Sequence, residues 1–415
     1  MAKSTVEFQA SASYFARLLT PFLLCIALSA PALMIHFGLL QASALVAAIC
    51  MGVAIIAAAF MLGWIGEAAE LDLSGGLAIG LLAVIAILPE YVVSTVISFQ
   101  AGSDAAMAPL ATANLTGANR LLLGFGWPVV ALFGWIAFRR SQQKKKFGIE
   151  LEPESKTDIG FMIWATIISF AVPLTGEIDL IIGLLMVVLF VSYLWRVSEQ
   201  KNEEPELEGT AAYVGALPKW WRRSFLLGIA VIAAGIILIC AEPFTENLLV
   251  AGEEMNWNSY LLIQWITPLA SEAPEFTLAF LFAAKGKAQV ALAVLISSKV
   301  NQWSVLAGSL PIAYILGGGQ GAGIPLDVQS VSQFNLTIAQ SILGIALVLS
   351  MRVGRSTSAI LLGTFILTFI FTDVASHDLI SLLCLAISIP FFVANRKLLL
   401  PAIKAPFSKT INPGN

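Results

Sequence analysis

The chain has 415 residues, of which 58% are hydrophobic and only 12% charged, with a formal net charge of -3. A globule in water typically carries about 25% charged residues, so half that share leaves too little polar surface to cover one, and the composition excludes an ordinary water-borne domain. The mean hydropathy of +0.86 points to the bilayer as the solvent.

Lys3 and Arg17 precede an apolar stretch from Leu18 to Leu40. It is longer than the hydrophobic core of a secretory signal, so it is expected to be a retained helix. Runs of roughly 20 apolar residues, enough to cross the hydrocarbon core, recur along the chain. They predict spans at 16–37, 43–65, 76–99, 105–138, 159–175, 178–196, 223–240, 259–284, 287–318, 333–351, 355–372 and 377–394. The two longest, 105–138 and 287–318, hold glycine and polar residues midway and are expected to be broken helices. The expected fold is thus an all-α polytopic membrane protein of about twelve transmembrane helices.

Two connectors stand out. Residues 139–157 open with Arg139-Arg140 and continue to Lys144-Lys145-Lys146, while 197–222 hold Glu203-Glu204-Pro205-Glu206. Both are expected to be solvated links. With the N-terminus in the cytoplasm and strict alternation, every lysine and arginine outside the spans falls on the cytoplasmic side. The expected location is the inner membrane, with both termini cytoplasmic. The Gly317–Gly321 stretch reads as a flexible outside loop; no strand precedes it and no Gly-Lys-Ser/Thr follows, so it is not a nucleotide loop.

Away from the span ends, two basic residues lie inside the spans, Arg120 and Lys299, with three acidic ones, Glu90, Glu272 and Glu275. A charge at that depth costs ~3 kcal/mol or more and normally faces a cavity or a partner. Arg120 follows Asn119 directly, lies on another face and is expected to bond carbonyls of its helix or a carboxylate. Cys25, Cys50, Cys240 and Cys384 form no Cys-x-x-Cys pair, and His36 and His377 are far apart, so neither a disulfide framework nor a His-based metal centre is expected. There is no His-Glu-x-x-His or other enzyme cluster.

The strongest local signal is a repeated Pro-Glu. The first copy is Ile85-Ala86-Ile87-Leu88-Pro89-Glu90 and the second Ala270-Ser271-Glu272-Ala273-Pro274-Glu275. Pro89 and Pro274 each remove a backbone donor and are expected to break or kink their helices. Carbonyls freed beside a carboxylate suit a cation. A second stretch follows each copy: Ala111-Thr112-Ala113-Asn114-Leu115-Thr116-Gly117-Ala118-Asn119, and Ala291 to Ser297-Ser298-Lys299. Small residues allow close helix approach, and amides and hydroxyls supply neutral oxygen ligands.

This arrangement resembles the cation/calcium exchanger superfamily of the sodium/calcium exchanger type, whose repeats typically carry G-T-S-x-P-E and then G-N-x-x-G-S-N. Leu88-Pro89-Glu90 and Ala273-Pro274-Glu275 match the first motif; Asn114, Gly117 and Asn119 match the second, and Ser298 matches its serine in the later copy. The resemblance implies two inverted five-helix repeats with discontinuous helices, at 41–196 and 223–372. They are joined by a cytoplasmic linker at 197–222 and flanked by extra helices at 1–40 and 373–415. It implies ion-binding or coupling roles for Glu90, Glu275, Glu272, Ser271, Asn119, Asn114, Lys299 and Ser298, with Glu90, Glu275 and Glu272 as metal-facing carboxylates.

The departures shift the chemistry. Ala86 and Ile87 remove two hydroxyls, Glu272 replaces a serine, and Lys299 replaces an asparagine or carboxylate. Calcium takes six to eight oxygens, and an ammonium repels it. Lys299 is expected to pair with one of the carboxylates and to trade its proton against an entering cation. The expected function is secondary cation antiport by alternating access, sodium against protons. The alternatives are calcium or another divalent exchanged for sodium or protons, and a non-transporting or channel-like homologue. The partners are the bilayer and the transported sodium, protons or calcium. No resident cofactor and no nucleic acid are expected.

Overall fold

The computed structural model describes residues 8, 11–69, 71, 88–140, 147–198, 207 and 209–408. Ala86, Ile87, the start of the third predicted span, residues 144–146 and the acidic run at 203–206 lie outside them.

Among the described residues the fold is all-α apart from two short antiparallel strand pairs, because a bilayer demands that every backbone polar group be paired within its own segment. In chain order the helices are α1 (Ala12–His36), α2 (Ala44–Ala69), α3 (Leu88–Ser103), α4 (Ala108–Leu121), α5 (Trp127–Arg140), α6 (Ser155–Ser169), α7 (Ala171–Thr175) and α8 (Leu180–Ser198). The second half continues with α9 (Gly209–Gly215), α10 (Lys219–Glu254), α11 (Ser259–Ala284), α12 (Ala288–Asn301), α13 (Ala307–Leu316), α14 (Val328–Val348), α15 (Arg355–Ile370), α16 (Val374–Ala394) and α17 (Arg396–Lys404). Among the described residues nine helical stretches are long and apolar enough to cross a membrane. α15, with 16 residues, and the described part of the third span are shorter.

Two expectations are amended. The two long spans are not severed. Each is one helical path, 105–140 and 288–316, with a π-helical turn in the middle, at Leu122–Gly126 and Gln302–Leu306. A π turn inserts one residue while keeping the backbone bonded, which a full break inside lipid would not do. The side chain of Pro274, expected to break or kink α11, lies outside the described residues. The span expected at 223–240 runs from Lys219 to Glu254, 36 residues, and so extends well past the hydrocarbon core.

The chain forms two compact units. The first comprises residues 1–96 and 197–275, the second 97–196 and 276–415. In the first, α2 packs along α10 and α1. Phe22 of α1 meets Trp64 of α2 and Phe225 of α10, with ring centroids 5.5 and 5.1 Å apart. The Tyr14 hydroxyl donates to the Tyr213 carbonyl in α9. In the second unit α14 is the most enclosed span and packs on α16, α4 and α6. A Cβ on Gly183 of α8 would stand 2.7 Å from the Gly308 carbonyl oxygen of α13, and one on Gly308 would stand 2.5 Å from that of Gly183. Only two glycines let these backbones approach so closely. The strand pairs also lie here: Ile149 opposes Val353, and Ile178 opposes Ile324. The second pair follows the glycine-rich loop expected at 317–321.

Candidate ion-binding site

The candidate residues divide between the units. Glu90, Ser271, Glu272 and Glu275 belong to the first, and Asn114, Asn119, Ser298 and Lys299 to the second.

In the first unit Glu90 follows Pro89 in the first turn of the described part of α3 and is 4% exposed. On α11, Glu272 is 2% exposed and Glu275 half-buried. Three residues apart on a helix, they share a face. The Ser271 hydroxyl donates to the carbonyls of Thr267 and Pro268, both at 3.3 Å, and is committed to its own helix. Among the described residues no three His, Cys, Asp or Glu side chains form a metal cluster.

In the second unit α4 and α12 each end in a π turn, and the turns begin at residues 122 and 302. Their separation of 180 residues equals that of Asn119 and Lys299, so these two hold equivalent places in the paired helices. They also meet. The Lys299 ammonium donates to Asn119 Oδ1 at 2.8 Å and reaches the Asn119 carbonyl oxygen at 3.4 Å. It lies over the Trp303 ring, 4.8 Å from its centroid. Asn119 Nδ2 donates to the Leu115 carbonyl at 2.9 Å, which aims Oδ1 at the ammonium. Asn119, Lys299 and Trp303 are fully buried. Two neutral oxygens and an aromatic face form a cation-binding environment of the kind that spares a buried ammonium part of its desolvation cost. Asn114, 2% exposed, and Ser298, 9% exposed, lie on the same two helices.

Arg120 bonds a carbonyl of its own helix, as expected: Nε donates to Thr116 at 3.3 Å. His377 pairs with Gln333, with 2.9 Å between Nδ1 and Nε2.

One polar element was missed in the sequence. α14 carries Gln333, Thr337, Gln340 and Ser341 on one buried stripe. Thr337 and Ser341 bond carbonyls one turn back, at 2.8 and 2.7 Å, whereas neither amide atom of Gln340 has a hydrogen-bond partner among the described residues. Gly344, one turn further on, abuts Leu123 of the first π turn. The spacing 333, 337, 340, 341 is the helical signal that marks such a stripe in an otherwise apolar span.

Long apolar helices that bury carboxylates, amides and an ammonium define a multi-pass membrane ion transporter. The chain belongs to the sodium/calcium exchanger protein family, whose model matches residues 42–198 and 225–372. The solved structure of the H+/Ca2+ exchanger CAX is similar to it over 95% of this chain and 98% of that one, with 31% identity and a TM-score of 0.90. YfkE shares the fold at 18% identity and a TM-score of 0.59, covering 90% of this chain and 99% of its own. The sodium-calcium exchanger NCX_Mj shares it at 14% and 0.50, over 78% and 97%. No curated protein matches the chain.

Proposed function

We propose that the chain is a secondary cation/proton antiporter, with sodium as the first candidate ion. The observation that carries this is the Lys299 ammonium held on Asn119 Oδ1 at 2.8 Å. Lys299 acts as a tethered cation. While it is protonated it occupies the oxygen that an incoming ion needs. When it loses its proton, Oδ1 becomes free to accept the ion, and binding of one excludes the other. Glu90, Glu272 and Glu275, with Ser271, are the ion-binding candidates of the first unit, and Asn114 and Ser298 those of the second. Pro89 and Pro274 shape the helices that bear the carboxylates.

The two family-matched blocks and the π turns 180 residues apart support two repeats, at 41–196 and 223–372. Five spans in each give them opposite orientation, which suits alternating access. The linker at 197–222 joins them, and the helices at 1–40 and 373–415 are additions. The confinement of lysine and arginine to alternate connectors supports cytoplasmic termini in an inner membrane.

A second reading, calcium exchanged for protons, is favoured by the similarity to the H+/Ca2+ exchanger CAX. Purified protein in liposomes under a pH gradient separates them. Sodium, potassium and calcium are added in turn while a dye follows lumenal pH. Proton movement on sodium that disappears in Glu275→Gln supports the first reading; movement on calcium alone supports the second. Calcium uptake driven by sodium without proton movement overturns both.

A further inference from the structure

Within the first unit, away from the motif residues, an open groove of about 490 Å³ runs along α1 beside α2. Ala16, Thr20 and Pro21 are short and leave the helix surface low, with Arg17 at one end and Leu24 and Cys25 at the other. Trp64 of α2 forms the side wall. Its ring is fixed by the Phe22 and Phe60 rings, with centroids 5.5 and 5.9 Å away. The α1 residues recur at the helical period, so the groove follows one helix face for ~12 Å from Arg17 to Cys25. That is most of the hydrocarbon depth of one leaflet, ~15 Å.

The two ends differ in chemistry. Arg17 is exposed, and its Nη1 donates to the Tyr213 hydroxyl of α9 at 3.1 Å. Among the described residues no carboxylate meets this guanidinium. Tyr213 is itself held by Tyr14, whose hydroxyl donates to its carbonyl and whose ring centroid is 5.6 Å from its own. Because the Tyr213 oxygen accepts from Arg17, its proton is left to donate. An acceptor at this end thus meets guanidinium N–H groups and a phenol O–H together. Further along, Leu23 and Leu24 are 60% and 58% exposed, an apolar surface suited to hydrocarbon.

The surroundings mark this end as the membrane interface. The first turn of α10, which packs on α1, carries Lys219, Arg222 and Arg223. Between them Trp220 and Trp221 are 78% and 70% exposed. Exposed tryptophan among basic residues at a helix end is the composition of the headgroup layer. Glu67, one turn from Trp64 on α2, does not line the groove.

We propose that this groove binds an anionic glycerophospholipid, with its phosphate on Arg17 and Tyr213 and one acyl chain along Ala16, Thr20, Pro21, Leu24 and Trp64. The guanidinium is the side chain that suits a phosphate, and the basic turn of α10 adds attraction for net negative charge. A soluble anion would use only the charged end and leave the apolar length empty. A neutral chain would leave the guanidinium unmatched. A phospholipid fills both.

The test uses full-length protein in detergent, stripped of lipid and then supplied with phosphatidylglycerol, phosphatidylcholine or inorganic phosphate. Thermal unfolding and native mass spectrometry are read together. Phosphatidylglycerol is expected to raise the wild-type unfolding midpoint, as a ligand of the folded state does, and to remain as an adduct. Arg17→Gln removes the charge, and Ala16→Trp fills the groove while keeping Arg17. Each is expected to lose roughly half or more of that rise, measured from its own lipid-free midpoint, together with an adduct. Ala16 is exposed, so its variant stays informative if Arg17→Gln does not fold. A full rise and wild-type adducts in Ala16→Trp overturn the groove as the site. An equal rise with phosphatidylcholine overturns the preference for an anionic headgroup. An equal rise with inorganic phosphate makes the site one for a free anion and overturns the lipid.

Discussion

Lys299 and Asn119, equivalent in position and 180 residues apart, hydrogen-bond to each other at 2.8 Å. The helix before one π turn thus supplies an ammonium where the helix before the other supplies its acceptor. If that ammonium carries the coupled proton, Lys299→Ala will still bind cation, and its transport will lose its dependence on pH. Dye-monitored proton flux alongside isotope uptake measures this, and undiminished proton movement per cation would remove Lys299 from the coupling.

Asn119→Leu removes the oxygen that accepts from the buried Lys299 ammonium at 2.8 Å. A hydrogen bond to a charged group contributes about 1.5–3 kcal/mol, so a loss of roughly 2 kcal/mol is expected in detergent unfolding. The double variant with Lys299→Ala will recover most of it, because the two side chains couple directly. Additive losses would show that the pair does not interact energetically.

Glu90→Gln and Glu275→Gln each keep size and hydrogen-bonding capacity while removing an anionic oxygen. Each is expected to abolish cation-driven proton movement in liposomes, with Glu272→Gln less severe. Normal rates in either of the first two would displace it from the transport path.

At the α8–α13 crossing, Gly183→Val pushes a branched side chain into the Gly308 carbonyl, which a Cβ alone would approach to 2.7 Å. Overpacking of this kind costs about 1–3 kcal/mol. A lowered midpoint in thermal unfolding checks it, and an unchanged midpoint would mean that the helices separate freely.

Gln340 buries an amide with no hydrogen-bond partner among the described residues. Gln340→Leu is expected to raise thermal stability, since an apolar group of similar shape has no unmet hydrogen bonds. A fall in stability would show that the amide is satisfied in the native membrane.

Asp373 caps α16 by accepting from the Ser376 amide at 2.9 Å, and the hydrogen bonds from Ser376 hold its carboxyl below the usual range. A depressed carboxyl stabilises above its unfolded pKa, about 3.9, and loses that contribution as pH falls through the folded value. The protection of the Ser376 amide against hydrogen exchange, relative to its intrinsic rate at each pH, will therefore fall in acid, and Asp373→Asn will abolish that pH dependence.

The sequence by itself determined that this is an all-helical membrane protein with charged residues at depth. Apolar length, proline and buried charge are local properties that the bilayer makes decisive. Glu90, Asn119, Glu272 and Lys299 were legible for the same reason: nothing else in an apolar span is so costly to bury. Local sequence did not show that glycine-bearing polar spans take a π turn instead of breaking, because that choice depends on the neighbours that keep the backbone bonded. Nor did it show that Lys299 lies on Asn119 and Trp303. The expectation of a carboxylate partner followed charge alone, and it was the tertiary fold that added an amide oxygen and a ring beside the ammonium. The Tyr193–Ser297 hydrogen bond is invisible in sequence altogether, since two helices far apart in the chain must pack before their hydroxyls come within reach.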